Sequence, residues 1–264
     1  MVRWAVVFLL LLLTACSSGS FKVSGDEYRQ RVKTLGVLPL LVDDSSDIVH
    51  PRGDKVVRIL RSQNREKEGR LIEILKQKKA YFDVRPVTGM PAGLFDRLIT
   101  GSSPQGPPEE IHREYRFDAG AVAELARSNV VDALLVVVQN GVMRTEKRWG
   151  RLHLSYLEAD YSQIVVSAAI VDPSGRVLWE YASASGEPFL QLQYPDFDEA
   201  YYNKTETVNV KFITTAGLER TLAESGRSLF ERTPFPLPYR DLFAAIDSAL
   251  DLGLLNPFAN GTGK

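Results

Sequence analysis

The chain has 264 residues, of which 44% are hydrophobic and 25% are charged, the proportions of an ordinary globular protein. Lysine and arginine number 32 against 33 aspartate and glutamate, and this near-neutral balance argues against a nucleic acid partner, which requires a basic face. Cys16 is the only cysteine, so the sequence excludes a disulfide framework and a cysteine-bound metal cluster.

The amino terminus has the composition of a secretory signal. Arg3 supplies a positive charge, and residues 4–13 form an unbroken apolar run. That run is half as long as the roughly 20 residues that a membrane-spanning helix needs. Small residues then lead to the cysteine in the order Leu13-Thr14-Ala15-Cys16. One open interpretation is a plain secretory signal, cut at an A-x-A-like site, with an incidental cysteine behind it.

This four-residue run resembles the lipobox of bacterial lipoproteins. The resemblance implies cleavage between Ala15 and Cys16, a diacylglycerol on the Cys16 thiol and an acyl group on its new amine. One acyl chain binds a membrane only reversibly, whereas two or three chains make an effectively permanent anchor. By the sorting pattern of enterobacterial lipoproteins, Ser17 implies the outer membrane, with the domain facing the periplasm. We therefore expect covalent lipid on Cys16 as the membrane contact, and no cofactor.

The sequence suggests one folded domain behind this leader. Residues 1–15 are predicted to be the signal peptide, and the Ser/Gly-rich residues 16–30 a flexible tether. A single domain is expected over 31–254, followed by a frayed tail over 255–264. Loop insertions are expected near 43–65, 88–117 and 184–240.

The first half of the domain alternates strand and helix patterns. Val32–Leu41 is apolar and predicts a buried strand, and Glu66–Lys79 has the apolar stripe of a helix. Residues 56–60 either extend this helix backwards or form a separate turn. A second strand is predicted at Tyr81–Val87, where Pro86 favours a sheet edge or a strand end.

Residues 88–118 carry no regular pattern and are expected to be irregular. Beyond them, Asp118 is predicted to cap a helix at Ala119–Ser128, and a buried strand follows at Val131–Gln139. A turn is expected at residues 139–141. The remaining predictions are a polar ribbon over 142–160, a hairpin of Ser162–Val171 and Arg176–Ser183 around a turn at residues 172–175, and helices at Phe212–Glu224 and Asp241–Leu250.

Helices interleaved with apolar strands predict an α/β (α+β) fold, in which helices pack on a mixed sheet. Four stretches are informative here: LGVLP at 35–39, YFDVRPV at 81–87, AELARSNVVDALLVV at 123–137 and VDPSGRVLWE at 171–180. They resemble the anticodon-binding-domain-like periplasmic lipoproteins. That group includes the curli-export channel, the exopolysaccharide-export ring, the penicillin-binding-protein activators and the amino-terminal domain of the Tol translocation protein.

The resemblance implies a non-enzymatic envelope lipoprotein that binds protein partners in outer-membrane assembly or export. Self-association into a ring is a second expectation from the same group. The stretch 184–211 lacks the sustained alternation of apolar and polar residues that a pore-forming hairpin needs, and in this it departs from the channel member.

Catalytic and metal-binding motifs are missing from the sequence. His50, His112 and His153 lack the HExxH spacing and are expected to be solvated surface residues. No G-x-S-x-G elbow or phosphate-binding glycine loop occurs. We therefore expect no catalytic residue and no metal.

One stretch mixes aromatic and acidic residues, YPDFDEAYY at 194–202. Two interpretations of its rings stay open: a ligand groove, or an ordinary loop packed on the domain. The alternative function is a cell-wall or polysaccharide hydrolase that uses acidic residues of this insertion, since glycosidases need two carboxyl groups across a sugar. The residues concerned are Tyr194, Phe197, Tyr201 and Tyr202 for the groove, and Asp196, Asp198 and Glu199, with the pair Asp43 and Asp44, for the hydrolase.

Overall fold

The computed structural model describes residues 19–153, 155–183, 188–224 and 235–251. In this part of the chain helices pack on a mixed sheet, so the predicted α/β class is confirmed. Among the described residues, no helix combines the length and the apolar character needed to cross a membrane.

The described residues form one large sheet and two small strand pairs. The main sheet has the strand order β1-β9-β8-β7-β2-β4, with β3 also beside β7 and β10 also beside β8. The pairs β5–β6 and β11–β12 are separate and antiparallel. The strands are β1 (Gly19–Phe21), β2 (Thr34–Val37), β3 (Leu41–Asp43), β4 (Asp83–Pro86), β5 (Ile99–Gln105), β6 (His112–Phe117), β7 (Ala133–Trp149), β8 (Tyr156–Val171), β9 (Val177–Ala182), β10 (Leu190–Gln191), β11 (Gln193–Asp196) and β12 (Asn209–Phe212).

Two apolar cores lie on the two faces of the main sheet. Helices α1, α2, α6 and α7 supply side chains to the larger core, and α3, α4 and β6 supply the smaller one. The helices are α1 (Gly25–Arg31), α2 (Gly53–Gln77), α3 (Pro91–Leu98), α4 (Ala119–Asn129), α5 (Phe197–Tyr202), α6 (Thr215–Ala223) and α7 (Leu237–Ala249).

The stretch predicted as one strand, Val32–Leu41, divides into β2 and β3. Both strands pair with β7, in the registers Val37 with Leu135 and Leu41 with Val138. Four steps along this stretch therefore oppose three along β7. Pro39 lies in the break, and because proline has no N–H it cannot donate to the neighbouring strand. The predicted edge position of Pro86 is confirmed, since β4 is the last strand of the sheet.

The predicted turn at residues 139–141 is wrong, because β7 continues through it to Trp149. Gln139 and Asn140 are buried, and Gln139 accepts a hydrogen bond from the Asn64 side chain, 2.9 Å away. At Gly141 a Cβ atom would lie 2.4 Å from the backbone of Asp47. The turn-like residues 139–141 therefore serve to bond a buried partner and to let another backbone segment approach closely. The ribbon predicted over 142–160 is the outer part of the β7–β8 hairpin.

Residues 88–118 are not irregular, contrary to expectation. They contain α3 and the β5–β6 hairpin, which pairs continuously from Gly101 with Arg116 to Gln105 with His112. The sequence of β5, ITGSSPQ, has little strand character of its own. Its conformation depends on pairing with β6, and the residues of β5 alone do not indicate that partner.

The predicted tether over 16–30 is also wrong beyond residue 18. Gly19–Phe21 pairs with β9, and α1 begins directly afterwards. The Ser24 side chain accepts from the Glu27 backbone N–H, a helix-capping arrangement in the sequence Ser-x-x-Glu. Tyr28 is buried, and its hydroxyl lies 2.8 Å from that of Tyr81. The predicted tether therefore contains β1 and the start of α1.

Local signals predicted several other elements well. Asp118 caps α4 by accepting from the Ala121 backbone N–H at 2.8 Å. The β8–β9 hairpin is confirmed, with Asp172 accepting from Ser174 and with Gly175 at φ +82°. Residues 56–60 do extend the helix backwards, and α6 and α7 lie close to their predicted ranges. The tail over 255–264 lies outside the described residues.

Candidate binding cleft

A cleft of about 420 Å³ lies between the β5–β6 hairpin and the outer part of the main sheet. Its size falls in the range of roughly 300–1,000 Å³ that is usual for ligand sites. Helices α3 and α4 contribute to the core on this face, together with β6. Residues of the β5–β6 hairpin line one side of the cleft, which we call its wall. Residues of β8, β9 and β1 line the facing surface of the main sheet, which we call its floor.

Small side chains make the floor open. Ser167, Ala169 and Ala182 lie on β8 and β9, and Ser20 lies on the edge strand β1. Cross-strand pairing brings these positions together, since Ser167 lies opposite Ala182, and both Ala169 and Ser20 lie opposite Glu180. Because larger residues would fill the space above a sheet, this pattern of serine and alanine is what leaves room for an occupant.

A charged pair lies at the β1 side of the cleft. Lys22 and Glu180 form an ion pair there, and the Ser20 hydroxyl lies 3.5 Å from the same carboxylate. The side chains of Lys22 and Glu180 are 44% and 33% exposed, so both can exchange partners with a ligand at little desolvation cost.

The wall strand β6 is attached to β3 through a buried hydrogen bond. The Tyr115 hydroxyl donates to Asp43 Oδ2 at 2.8 Å. Asp43 Oδ1 accepts from both the backbone N–H and the hydroxyl of Ser45, so the carboxylate is held on both oxygens. Burial raises the pKa of Tyr115, and the neighbouring Asp43 raises it further, which keeps the phenol a hydrogen-bond donor.

Arg113 extends from the same wall strand. Its guanidinium forms an ion pair with Asp47 at 2.8 Å and donates to Ser102 Oγ at 3.2 Å. Its Nε is buried, and no described residue accepts from it. The Arg113 carbonyl accepts from Ser167 Oγ, at 2.5 Å, so this edge of β6 faces the floor. Within the described residues β6 pairs with β5 alone, and its facing edge carries no partner strand.

Arg144 joins residues next to the wall and the floor of the cleft. Its side chain is fully buried, and it donates to the carbonyls of Ile111 at 2.9 Å and Ser183 at 3.0 Å. The residues next to these carbonyls, His112 and Ala182, both line the cleft. Burial lowers the pKa of the guanidinium, while Glu146 and Glu110 act in the opposite direction. Arg144 thereby links the wall to the floor through hydrogen bonds, a role that was not predicted from the sequence.

The predicted lipidation residues Ala15, Cys16 and Ser17 lie outside the described residues. The predicted aromatic residues do not line the cleft. Tyr194 is on β11 and Phe197 begins α5, which ends at the exposed Tyr201 and Tyr202. Phe197 lies instead beside the turn of the β7–β8 hairpin, since its Cγ lies 3.5 Å from the position of a Cβ on Gly150.

The acidic residues of the alternative hydrolase have structural partners. Asp196 accepts from the Glu199 backbone N–H and pairs with Lys211, and both contacts lower the pKa of Asp196. Glu199 pairs with Lys211 and Asn209, which lowers its pKa as well. A general acid in a glycosidase needs a raised pKa. Asp43 is buried under Tyr115, and Asp44 pairs with Arg61. The lowered pKa values of Asp196 and Glu199 are the opposite of what a general acid requires.

The histidines differ in their surroundings. His50 is half-buried: its Nδ1 accepts from the Arg52 backbone N–H at 2.9 Å, and its Nε2 lies 3.0 Å from the Ile213 carbonyl. The prediction of a solvated His50 is therefore wrong, and its bonds tie the α2 entry to α6. His112 is half-buried at the cleft, and His153 is exposed. The described residues contain no group of three or more His, Cys, Asp or Glu side chains that could hold a metal ion.

Comparisons with family models and with curated proteins find no match for this chain. Among solved structures, the chain is similar to one from Helicobacter pylori described as a neuraminyllactose-binding hemagglutinin homolog. The identity is 8%, the TM-score is 0.36, and the alignment covers 88% of this chain and 87% of that one. A TM-score of this size does not establish a shared fold.

Proposed function

We propose that this chain is an outer-membrane lipoprotein that faces the periplasm and binds an envelope protein through the cleft. Its acyl chains on Cys16 provide the anchor, and its domain acts by binding in assembly or export rather than by catalysis. The observation that carries the proposal is the edge of β6 beside a floor of small side chains: among the described residues no strand pairs with this edge, and its Arg113 carbonyl accepts from Ser167 Oγ of the floor. Such an edge offers main-chain hydrogen bonds to an extended peptide segment.

The cleft is built for a peptide in two respects. Its wall is rigid at both ends, because Tyr115 binds Asp43 and Arg144 binds the carbonyls of Ile111 and Ser183. Its lining is mixed, since apolar side chains such as Val136 and Phe117 lie close to charged groups. Apolar surface with a few fixed polar groups is typical of recognition sites.

The resemblance to the anticodon-binding-domain-like lipoproteins belongs to the same proposal. The described fold contains the parallel unit β2-α2-β4 and the unit α4-β7 followed by the β8–β9 hairpin. These are the units on which the resemblance rests. Partner binding in that group suggests an envelope protein as the occupant of the cleft.

A matched pair of variants tests the cleft. Ala182→Trp places a large ring on the floor, whereas Ala92→Trp places the same ring on the exposed surface of α3. We expect native complexes extracted from membranes in mild detergent to contain a partner with the wild type and with Ala92→Trp. The partner should be lost with Ala182→Trp at unchanged protein level. Equal recovery with both variants would contradict the proposed site.

The anchor has its own test. Metabolic labelling with radioactive palmitate should mark the wild-type chain, and Cys16→Ala should abolish the label. A labelled Cys16→Ala chain, or an unlabelled wild type that is secreted in soluble form, would exclude the lipoprotein assignment and favour the plain secretory signal.

A further inference from the structure

One edge of the domain concentrates exposed aromatic and apolar side chains. Twelve large hydrophobic side chains are exposed in the described part of the chain, and six of them lie at the β7–β8 turn or on the adjoining β11 and α5. Leu152, Tyr201 and Tyr202 are the most exposed of these, at 80%, 81% and 81%. We call the six the aromatic edge: Trp149, Leu152, Tyr156, Tyr194, Tyr201 and Tyr202.

The two parts of the aromatic edge form one surface. Phe197, the first residue of α5, packs against Gly150 of the turn, where a Cβ would lie 3.5 Å from its ring. Arg151 and Asp198 approach to 3.6 Å across the same junction. The backbone N–H of Gly150 donates to the Ser155 carbonyl at 2.9 Å, which closes the turn. Contacts on both sides therefore hold α5 beside the turn.

The amino terminus leaves the fold along the same edge of the sheet. β8 pairs with β9 near its end and with β10 further towards the turn, so β9, β10 and the segment leading to α5 follow one side of β8. β1 and β8 are both antiparallel to β9, so they run in the same direction. The amino-terminal end of β1, at Gly19, therefore lies on the side of that strand towards the β7–β8 turn.

The proposed lipid and the aromatic edge lie on the same side of the sheet but at different levels along it. Gly19 lies opposite Tyr181, which lies opposite Ala168 of β8. Cys16 is three residues before Gly19 and can reach at most about 10 Å from it. The aromatic edge extends from the level of β11 to the turn at Tyr156, roughly 40 Å from the level of Ala168 at 3.3 Å per residue. A reach of about 10 Å leaves the lipid about 30 Å short of the turn, so one bilayer contacts both only if this side of the sheet lies along the membrane surface.

The charges of the edge are largely compensated. The Lys147 ammonium lies 3.6 Å from the centre of the Tyr156 ring, and Lys147 is the cross-strand neighbour of Glu158. Arg151 lies near Asp198. Tryptophan and tyrosine are enriched at membrane–water interfaces, where their rings sit at headgroup level. Lysine and arginine can place their aliphatic stems along such a surface with the charge in water.

We propose that the aromatic edge lies on the interfacial layer of the bilayer that holds Cys16 and forms a second membrane contact. This inference rests on the proposed lipid anchor for its orientation. The occupant is a lipid surface rather than a protein, because the edge lies on the side of β8 that also holds β9 and β1 and carries interfacial residue types with balanced charge. The edge binds zwitterionic lipids and does not require anionic lipid.

Vesicle binding by a chain without acyl groups tests the edge independently of the anchor. The chain from residue 16 onwards, carrying Cys16→Ser, contains two tryptophans, the half-exposed Trp149 and the buried Trp179. We expect vesicles of phosphatidylcholine and phosphatidylethanolamine to shift the Trp149 emission to the blue and to sediment the protein. Adding phosphatidylglycerol or salt should change the partition by less than about twofold, because the edge carries no net cationic patch.

A matched triple variant provides the control. Replacing Leu152, Tyr201 and Tyr202 by serine should lower the partition at least about tenfold, since each loses apolar surface that would leave water. Replacing three equally exposed side chains elsewhere by serine should have no effect. Those control positions are Phe82, Met90 and Val130, which are 89%, 79% and 69% exposed.

Three outcomes would overturn the inference: no blue shift, an equal loss in both triple variants, or binding that appears only with phosphatidylglycerol and disappears in salt. Loss of the detergent-extracted partner in the edge variant, with vesicle binding unchanged, would assign the edge to a protein instead. Palmitate labelling is unaffected by any of these results, so a failure of the edge is distinguishable from a failure of the anchor.

Discussion

Replacing Tyr115 by phenylalanine removes the one oxygen atom that attaches the cleft wall to β3. The Tyr115 hydroxyl donates to Asp43 Oδ2 at 2.8 Å, and Tyr115 and Asp43 are only 7% and 1% exposed. Tyr115→Phe leaves the ring in place but leaves Oδ2 of a buried carboxylate without this donor. A hydrogen bond to a charged group contributes roughly 1.5–3 kcal/mol, so we expect a loss of about 2 kcal/mol in the free energy of unfolding.

Urea unfolding followed by circular dichroism measures this loss as a lower midpoint at an unchanged slope. The corresponding fall in Tm is about 4–8 °C for a domain of this size. Tyr156→Phe is the matched control, because Tyr156 is half-exposed at the β7–β8 turn and should change stability by less than about 0.5 kcal/mol. A Tyr115→Phe variant within 0.5 kcal/mol of the wild type would refute the view that this bond fixes the wall.

Three further predictions test the fold and the assembly. Gly141→Ala should lower the free energy of unfolding, measured by urea unfolding, by about 1–3 kcal/mol, because the new Cβ would lie 2.4 Å from the Asp47 backbone. The control Gly69→Ala, which has open space around a helical position, should raise it by about 0.5–1 kcal/mol. Burial raises the pKa of Tyr81 to about 12, so its contribution to stability is present below pH 10 and is lost between about pH 10 and 12. Tyr81→Phe should flatten the fall in urea midpoint over that window, and an unchanged slope would contradict the burial of the Tyr81 hydroxyl. Light scattering after size-exclusion chromatography of the Cys16→Ser chain should give an oligomer if the subunits form a ring, and monomers both there and in native detergent extracts would exclude the ring.

The elements that the sequence predicted well depend on contacts within a few residues. Asp118 caps the helix that follows it, and Asp172 and Gly175 form the turn between β8 and β9. The residues within a few positions of each cap or turn are therefore sufficient to predict it. For the same reason the α/β class could be predicted from the order of apolar strands and amphipathic helices.

The elements that the sequence missed depend on distant partners. Gln139 and Asn64 are 75 positions apart, yet their hydrogen bond lets a strand continue through a segment that resembles a turn. Gly141 allows the backbone around Asp47 to approach, 94 positions away by residue number. No local pattern distinguishes these residues from a polar turn, because the contacts that stabilise the strand come from residues far away in the sequence.

The cleft could not be predicted because residues of six separate strands line it. Ser20, Arg113, Ser167 and Ala182 lie on β1, β6, β8 and β9, and only the sheet order brings them together. One signal was available in the sequence. Arg144 is a charged residue in the same alternate register as Leu134, Val136 and Val138, which face the smaller core, and such a residue usually holds backbone carbonyls or a ligand.

Photo-crosslinking from the cleft in intact cells tests the central claim most directly. A photoreactive amino acid at Ser20, on the rim of the floor, should give one discrete adduct with an envelope protein, and the same amino acid at Ala92 on α3 should give none. Ala182→Trp should abolish the Ser20 adduct, since it fills the space that the partner occupies. Adducts of equal yield from both positions, or a Ser20 adduct that survives Ala182→Trp, would contradict a partner site in this cleft.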